Sequence, residues 1–205
     1  MELGVPDIVK WFDFANKKIQ HHKDYLSALD RPIGDGDHGI NMARGCKEAI
    51  NKIMTKNYAE PSEVIKDVAM ALLAKVGGAS GPLYGTAFLK MSMAVKGYEV
   101  LSLSTLANGM EAALAGLKQR GKSDIGEKTL IDVWSPMGDY ISTGEISSDG
   151  LIELARDALE TSKDTMATKG RAAYFKEKSI GHIDPGSASS FYIFEALAEV
   201  IKEKE

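Results

Sequence analysis

Cysteine is almost missing from this chain. Cys46 stands alone among 205 residues, so no intramolecular disulfide can form and a cysteine-based zinc site lacks its ligands. Long hydrophobic runs are missing as well; the longest, near Val68 to Ala74, is far too short to span a bilayer. The amino terminus, Met1 to Asp7, has neither a basic segment nor an apolar core, so no secretory signal is expected. Basic charge is not in excess. The formal net charge is −4 and no basic block occurs, which argues against a nucleic-acid surface. Strict apolar–polar alternation is scarce too, and only Tyr98 to Ser104 is open to reading as a strand. What remains is ordinary globular composition, 44% hydrophobic and 26% charged. A single domain over residues 1–205 with a substantial core is expected, in a soluble cytoplasmic protein.

Helical periodicity fills the chain. Ile8, Trp11, Phe12, Ala15, Ile19, His22 and Leu26 recur at steps of three and four. Val64, Val68, Leu72 and Val76 do the same, with Pro61-Ser62 as a start signal. Further stripes run through Phe88 to Val95, Leu106 to Leu117 with Ser104 as N-cap, Leu151 to Leu159, and Phe191 to Ile201. The methionines and aromatics on these stripes are core filler. The pattern predicts an all-α bundle of roughly six to nine helices. His21 and His22 read as helix-face residues without partners, and His182 as the organiser of a turn.

Chemistry concentrates in one loop, Asp30-Arg-Pro-Ile-Gly34-Asp35-Gly36-Asp37-His38-Gly39. Carboxylates this crowded raise one another's pKa unless a cation neutralises them. All-oxygen donors favour Mg²⁺ or Ca²⁺ over thiophilic metals. An EF-hand fails on register: counted from Asp35, the fifth position is Gly39 and the twelfth is Cys46, where a bidentate Glu belongs. Helix capping alone needs one carboxylate, not three. The loop therefore reads as a metal–phosphate site.

Glycine also clusters in Gly77-Gly78-Ala79-Ser80-Gly81-Pro82-Leu83-Tyr84-Gly85-Thr86 and in Gly181-His182-Ile183-Asp184-Pro185-Gly186-Ser187. Each cluster joins two helical stretches. Such turns present unpaired N–H groups and the positive dipole end of the next helix, which suits phosphate oxygens. Beside the aspartate loop they suggest a nucleotide-diphosphate site at one end of the bundle. A Walker A string is also present, Gly116-Leu-Lys-Gln-Arg-Gly121-Lys122-Ser123. A true P-loop follows a buried strand, whereas Met110 to Leu117 carry a helical stripe. The string reads instead as a basic helix C-terminus with Gly121 just past its end.

Together with Leu29-Asp30, Lys128-Thr129 and Gly170-Arg171-Ala172, these segments resemble the nucleotide-binding subunit of dihydroxyacetone (glycerone) kinases, the DhaL family. The likeness runs from the first third almost to the chain's end. It implies an eight-helix antiparallel barrel or bundle with ADP or ATP held at one end. It further implies that Asp30, Asp35 and Asp37 hold two Mg²⁺ ions bridging to the phosphates. His38, Gly39, Ile40 and Asn41 would line the phosphates, with Ala79 and Ser80 contacting them from the second loop. Gly121 and Leu130 would border the adenine, and Arg171, Asp184, Pro185 and Gly186 would complete the surroundings. Leu130 stands where the family often has Met, and Phe175-Lys176-Glu177-Lys178 replaces a common Leu-Gly-Glu-Arg.

The resemblance implies a phosphotransferase (kinase) subunit with two partners and no general acid or base of its own. A phosphohistidine on a phosphotransferase-system subunit would convert bound ADP to ATP. The γ-phosphoryl group would then pass to dihydroxyacetone on a second subunit. Standing free of a fused domain, the chain fits the phosphoenolpyruvate-dependent system of glycerol metabolism. An ATP-dependent glycerone or fatty-acid kinase component and a nucleotide-sensing adaptor share the same motifs. A homodimer is left open, and neither nucleic acid nor membrane is expected as a partner. His38 reads as a donor to nearby backbone or phosphate rather than a phosphohistidine relay.

Overall fold

The computed structural model describes residues 1–205. Nine α-helices account for most of the chain: α1 Val5–His21, α2 Lys23–Asp30, α3 His38–Ile53, α4 Pro61–Lys75, α5 Ser80–Ala94, α6 Leu103–Gly121, α7 Ile131–Ser142, α8 Ser148–Asp164 and α9 Pro185–Lys202. A 3₁₀ segment, Arg171–Ser179, precedes α9. The first long apolar stripe is not one helix. His22 takes φ −100° and ψ 11° and separates α1 from α2, although its N–H still bonds Lys18 O at 2.9 Å. With α1 and α2 as one broken arm, the helices form eight arms, as the resemblance implies.

Short connections make successive arms antiparallel neighbours. Each arm packs on the next from α3 through α9, and α9 returns against α1, so the ring closes. Its interior is one apolar cluster of 48 buried residues. Aromatic rings knit the arms together at the centre. Phe88 on α5 meets Trp11 at 6.0 Å, Phe12 at 5.1 Å and Trp134 at 5.6 Å, each edge to face. No helix is long and apolar enough to cross a membrane.

Three details differ from the sequence reading. The debated stretch does contain a strand, β2 Val100–Ser102, paired antiparallel with β1 Glu2–Gly4 so that Leu3 faces Leu101. Nothing in the first residues alternates long enough to announce its mate. The N-cap of α6 is Ser102 rather than Ser104, because the chain turns straight from β2 into the helix. Ser102 Oγ accepts the Thr105 N–H at 3.2 Å. His22 also has a partner: its ring stacks on Tyr192 at 4.3 Å with an 8° tilt.

Phe88 is 1% exposed and touches rings on two other arms, so Phe88→Ala should cost about 3–5 kcal/mol. Chemical denaturation would measure it, and a loss under about 1 kcal/mol would show that the ring contacts do not carry the core.

A candidate nucleotide–metal cleft

Alternating arms place every second helix start at the same end. The N-termini of α3, α5, α7 and α9 meet there, and their first residues line one cleft: Asp37 and His38, Ala79 and Ser80, Thr129 and Leu130, Asp184 to Gly186. Each brings the positive end of its helix dipole, about half a positive charge. Four converging helix starts make an anion-binding floor.

The aspartates stand at one side of this floor. One oxygen each from Asp30, Asp35 and Asp37 lies within 4.8 Å of the others. Asp30 is buried, and its Oδ2 accepts the N–H groups of Asp37 at 3.0 Å and His38 at 3.2 Å. That fold-back needs glycine at position 34, where a Cβ would fall 1.9 Å from Asp30 Oδ1. Desolvation pushes the Asp30 carboxyl above its ordinary value against these hydrogen bonds, and the Asp35 charge adds to the rise. Asp35 goes the other way, because the Arg171 guanidinium pairs with it and holds it ionised. An all-oxygen set of three converging carboxylates fits a hard divalent cation.

Behind the floor the aspartate loop has its own apolar support, since Ile33 packs with Ala167 and Ala172 apart from the main core. Leu83 and Leu130 give the cleft an apolar wall. Gly78, at φ +66°, leads α4 into α5 and lines the same cleft.

His38 does not present its ring to an open cleft. The ring is buried between α5 and α9, with Nδ1 3.1 Å from Ser80 Oγ and Nε2 2.9 Å from Ser189 Oγ. Burial pushes its pKa down to about 4, so the imidazole is neutral. Asp184 caps α9 by accepting the Ser187 N–H at 2.7 Å, and burial pushes its carboxyl up to about 6. Asn41 turns its side chain to the cleft, its Oδ1 taking a 2.8 Å hydrogen bond from Arg44.

Of the expected site residues, Asp30, Asp35, Asp37, His38, Asn41, Ala79, Ser80, Leu130, Arg171, Asp184, Pro185 and Gly186 all line the cleft. Gly39, Ile40 and Gly121 do not. Gly39 faces α2, where a Cβ would fall 1.8 Å from Lys23 O. The Ile40 side chain is exposed at 57%. Gly121 is the last residue of α6 and lies behind Leu83, while the left-handed turn that ends the helix falls on Lys122 at φ 48°. Nine lining residues lie outside the expected set, among them Leu83, Lys128 and Lys169. Leu83 follows Ser80 by three residues at a helix start, a spacing that put it on the same face. Lys128 stands in a segment that carries the resemblance but has no role there, and Lys169 carries no signal, since lysine is normally a surface residue.

Comparison with known proteins accords with this geometry. The family described as DAK2 domain matches residues 32–199. The chain is 48% identical over 199 residues to the "PTS-dependent dihydroxyacetone kinase, ADP-binding subunit DhaL" of Lactococcus lactis subsp. lactis, covering 97% of this chain and 99% of that one. It is 34% identical over 210 residues to the "PEP-dependent dihydroxyacetone kinase, ADP-binding subunit DhaL" of Escherichia coli, covering 99% of this chain and 100% of that one. Among solved structures, the dihydroxyacetone kinase from C. freundii in complex with AMP-PNP and Mg²⁺ superposes at a TM-score of 0.74 with 23% identity. That superposition covers 95% of this chain and 33% of the kinase chain, and at such identity it shows the shared fold.

Lys122 is exposed and off the cleft, so Lys122→Ala should leave ADP affinity within about twofold by calorimetry. Asp184 gives a pH signature. Its folded-state pKa lies above the unfolded value of about 4, so the folded chain binds the extra proton and stability falls as pH rises from about 4 to about 6. Asp184→Asn keeps an oxygen for the Ser187 N–H and removes that fall. Its melting temperature should therefore gain on the parent's between about pH 4 and 7, and a constant difference would contradict the assignment.

Proposed function

The chain belongs to the DAK2 domain family, and from that membership and the cleft's geometry we infer that it is the ADP-binding subunit of a phosphoenolpyruvate-dependent dihydroxyacetone kinase. In this reading the ADP it holds accepts a phosphoryl group from a phosphohistidine on a phosphotransferase-system partner. That group then goes to dihydroxyacetone on a second partner subunit, giving dihydroxyacetone phosphate. A cytoplasmic place of action fits those partners. The observation that carries the reading is the meeting of three carboxylates with four helix N-termini in one cleft.

The chain's part is to position and to neutralise. Asp30, Asp35 and Asp37 are the residues that would hold Mg²⁺, and three carboxylates plus a nucleotide diphosphate call for about two such ions. Bound Mg²⁺ would supply charge neutralisation at the phosphate oxygens. Arg171 keeps Asp35 in the anionic form a hard cation needs. The positive starts of α3, α5 and α9, with Ser80, line the cleft and would meet the phosphates. Leu83 and Leu130 offer the base an apolar wall. This reading assigns no general base to the chain, since phosphoryl transfer depends chiefly on such alignment and charge.

The test begins with protein desalted without added nucleotide, then denatured and assayed for released nucleotide and magnesium. Near-stoichiometric ADP and magnesium support a resident cofactor, and Asp35→Ala and Asp37→Ala should each release both. Full retention in either variant would remove the metal assignment. An empty cleft that binds ATP reversibly would point instead to an ATP-using kinase component.

A further inference from the structure

Lys128 carries two unfavourable features in one residue. Its side chain is 1% exposed, and its backbone is left-handed at φ +59°. Burying an ammonium is costly without strong partners, and a non-glycine residue at positive φ is strained. The charge is not met by a carboxylate at contact distance. Nζ donates to the carbonyls of Ser162 at 2.5 Å, Thr165 at 3.0 Å and Lys163 at 3.4 Å. All three N–H bonds are thus spent on the end of α8 and the residue beyond it.

The gain lies in what those bonds hold. α8 points its negative end toward the same end of the barrel as the positive starts of α3, α5, α7 and α9, and the ammonium offsets it. The next residue, Thr129, is fixed from both sides. Its N–H bonds Asp132 Oδ2 at 2.7 Å, and its carbonyl accepts Ser187 Oγ of α9 at 3.0 Å. Leu130 follows at the start of α7 and forms the apolar wall with Leu83. The wall therefore rests on a turn strung between two helix ends, with Lys128 as one anchor.

We propose that Lys128 is a positioning residue for the nucleobase: by tying the end of α8 to the turn before α7, it sets Leu130 against Leu83 at the base's edge of the cleft. The inference rests on the ADP reading above. It differs from a purely structural role in predicting that only the base end of the ligand feels the loss.

Calorimetry on the full chain, freed of nucleotide, separates the cases with ADP, adenosine and inorganic pyrophosphate as probes, each in Mg²⁺. Lys128→Met keeps the stem and removes the ammonium. It should weaken ADP and adenosine alike, by roughly ten-fold or more, and leave pyrophosphate within about twofold. Lys128→Gly accepts φ +59° without strain, so it folds readily and should show the same split. Equal weakening of all three probes would overturn the assignment in favour of general loosening. Binding by Lys128→Gly equal to the parent's would overturn it too, since the clamp would then be dispensable. A parent chain that bound pyrophosphate but neither ADP nor adenosine would overturn the ADP reading itself, and this assignment with it.

Discussion

A buried chain of hydroxyl and ring contacts holds the working end of the barrel together. It runs from Ser80 through His38 to Ser189, then through Tyr84 to Ser190 and the Trp134 indole, with neighbouring atoms 2.7 to 3.1 Å apart. These residues sit on α3, α5, α7 and α9, the four helices whose starts line the cleft. Helix N-termini packed side by side repel one another electrostatically. A polar network that is satisfied throughout fixes their spacing in a low-dielectric interior. His38 is neutral there, which keeps a buried charge out of the network. The network makes the positive floor rigid before any anion arrives, the preorganisation that phosphate positioning needs.

The negative half of the site is tuned by unequal environments. Asp30 is buried and accepts two backbone N–H groups, while Asp35 is exposed and paired with Arg171. Burial raises the first carboxyl and the guanidinium lowers the second, so three like charges crowd together without one uniform penalty. The Ile33, Ala167 and Ala172 cluster ties the aspartate loop to the segment that carries Arg171. Cation site and countercharge therefore share one small support, distinct from the main core.

Much of this was legible before the fold was known, for stated physical reasons. Crowded aspartates among glycines have few uses besides a hard cation, and the aspartates do converge. The Walker string was set aside on its helical context, and Lys122 indeed ends a helix in solvent. Sequence proximity to His38 does not fix the direction of Gly39 and Ile40. On a helix, successive residues turn about 100°, so one faces α2 and the next faces water. The end of α6 falls one residue later than the string suggests, with Lys122 rather than Gly121 just past it, because boundaries are least determined by local pattern.

Local pattern alone determined the apolar stripes, the helical class, the glycine turns and the oxygen-donor chemistry of Asp30, Asp35 and Asp37, because each depends on residues close in the chain. Tertiary structure alone decided which helix ends meet, how Arg171 reaches Asp35 across the chain, and that Lys128 is buried on the carbonyls of α8. Those contacts join residues far apart in sequence. Their geometry comes from closing eight arms into a ring, and no single arm encodes that closure.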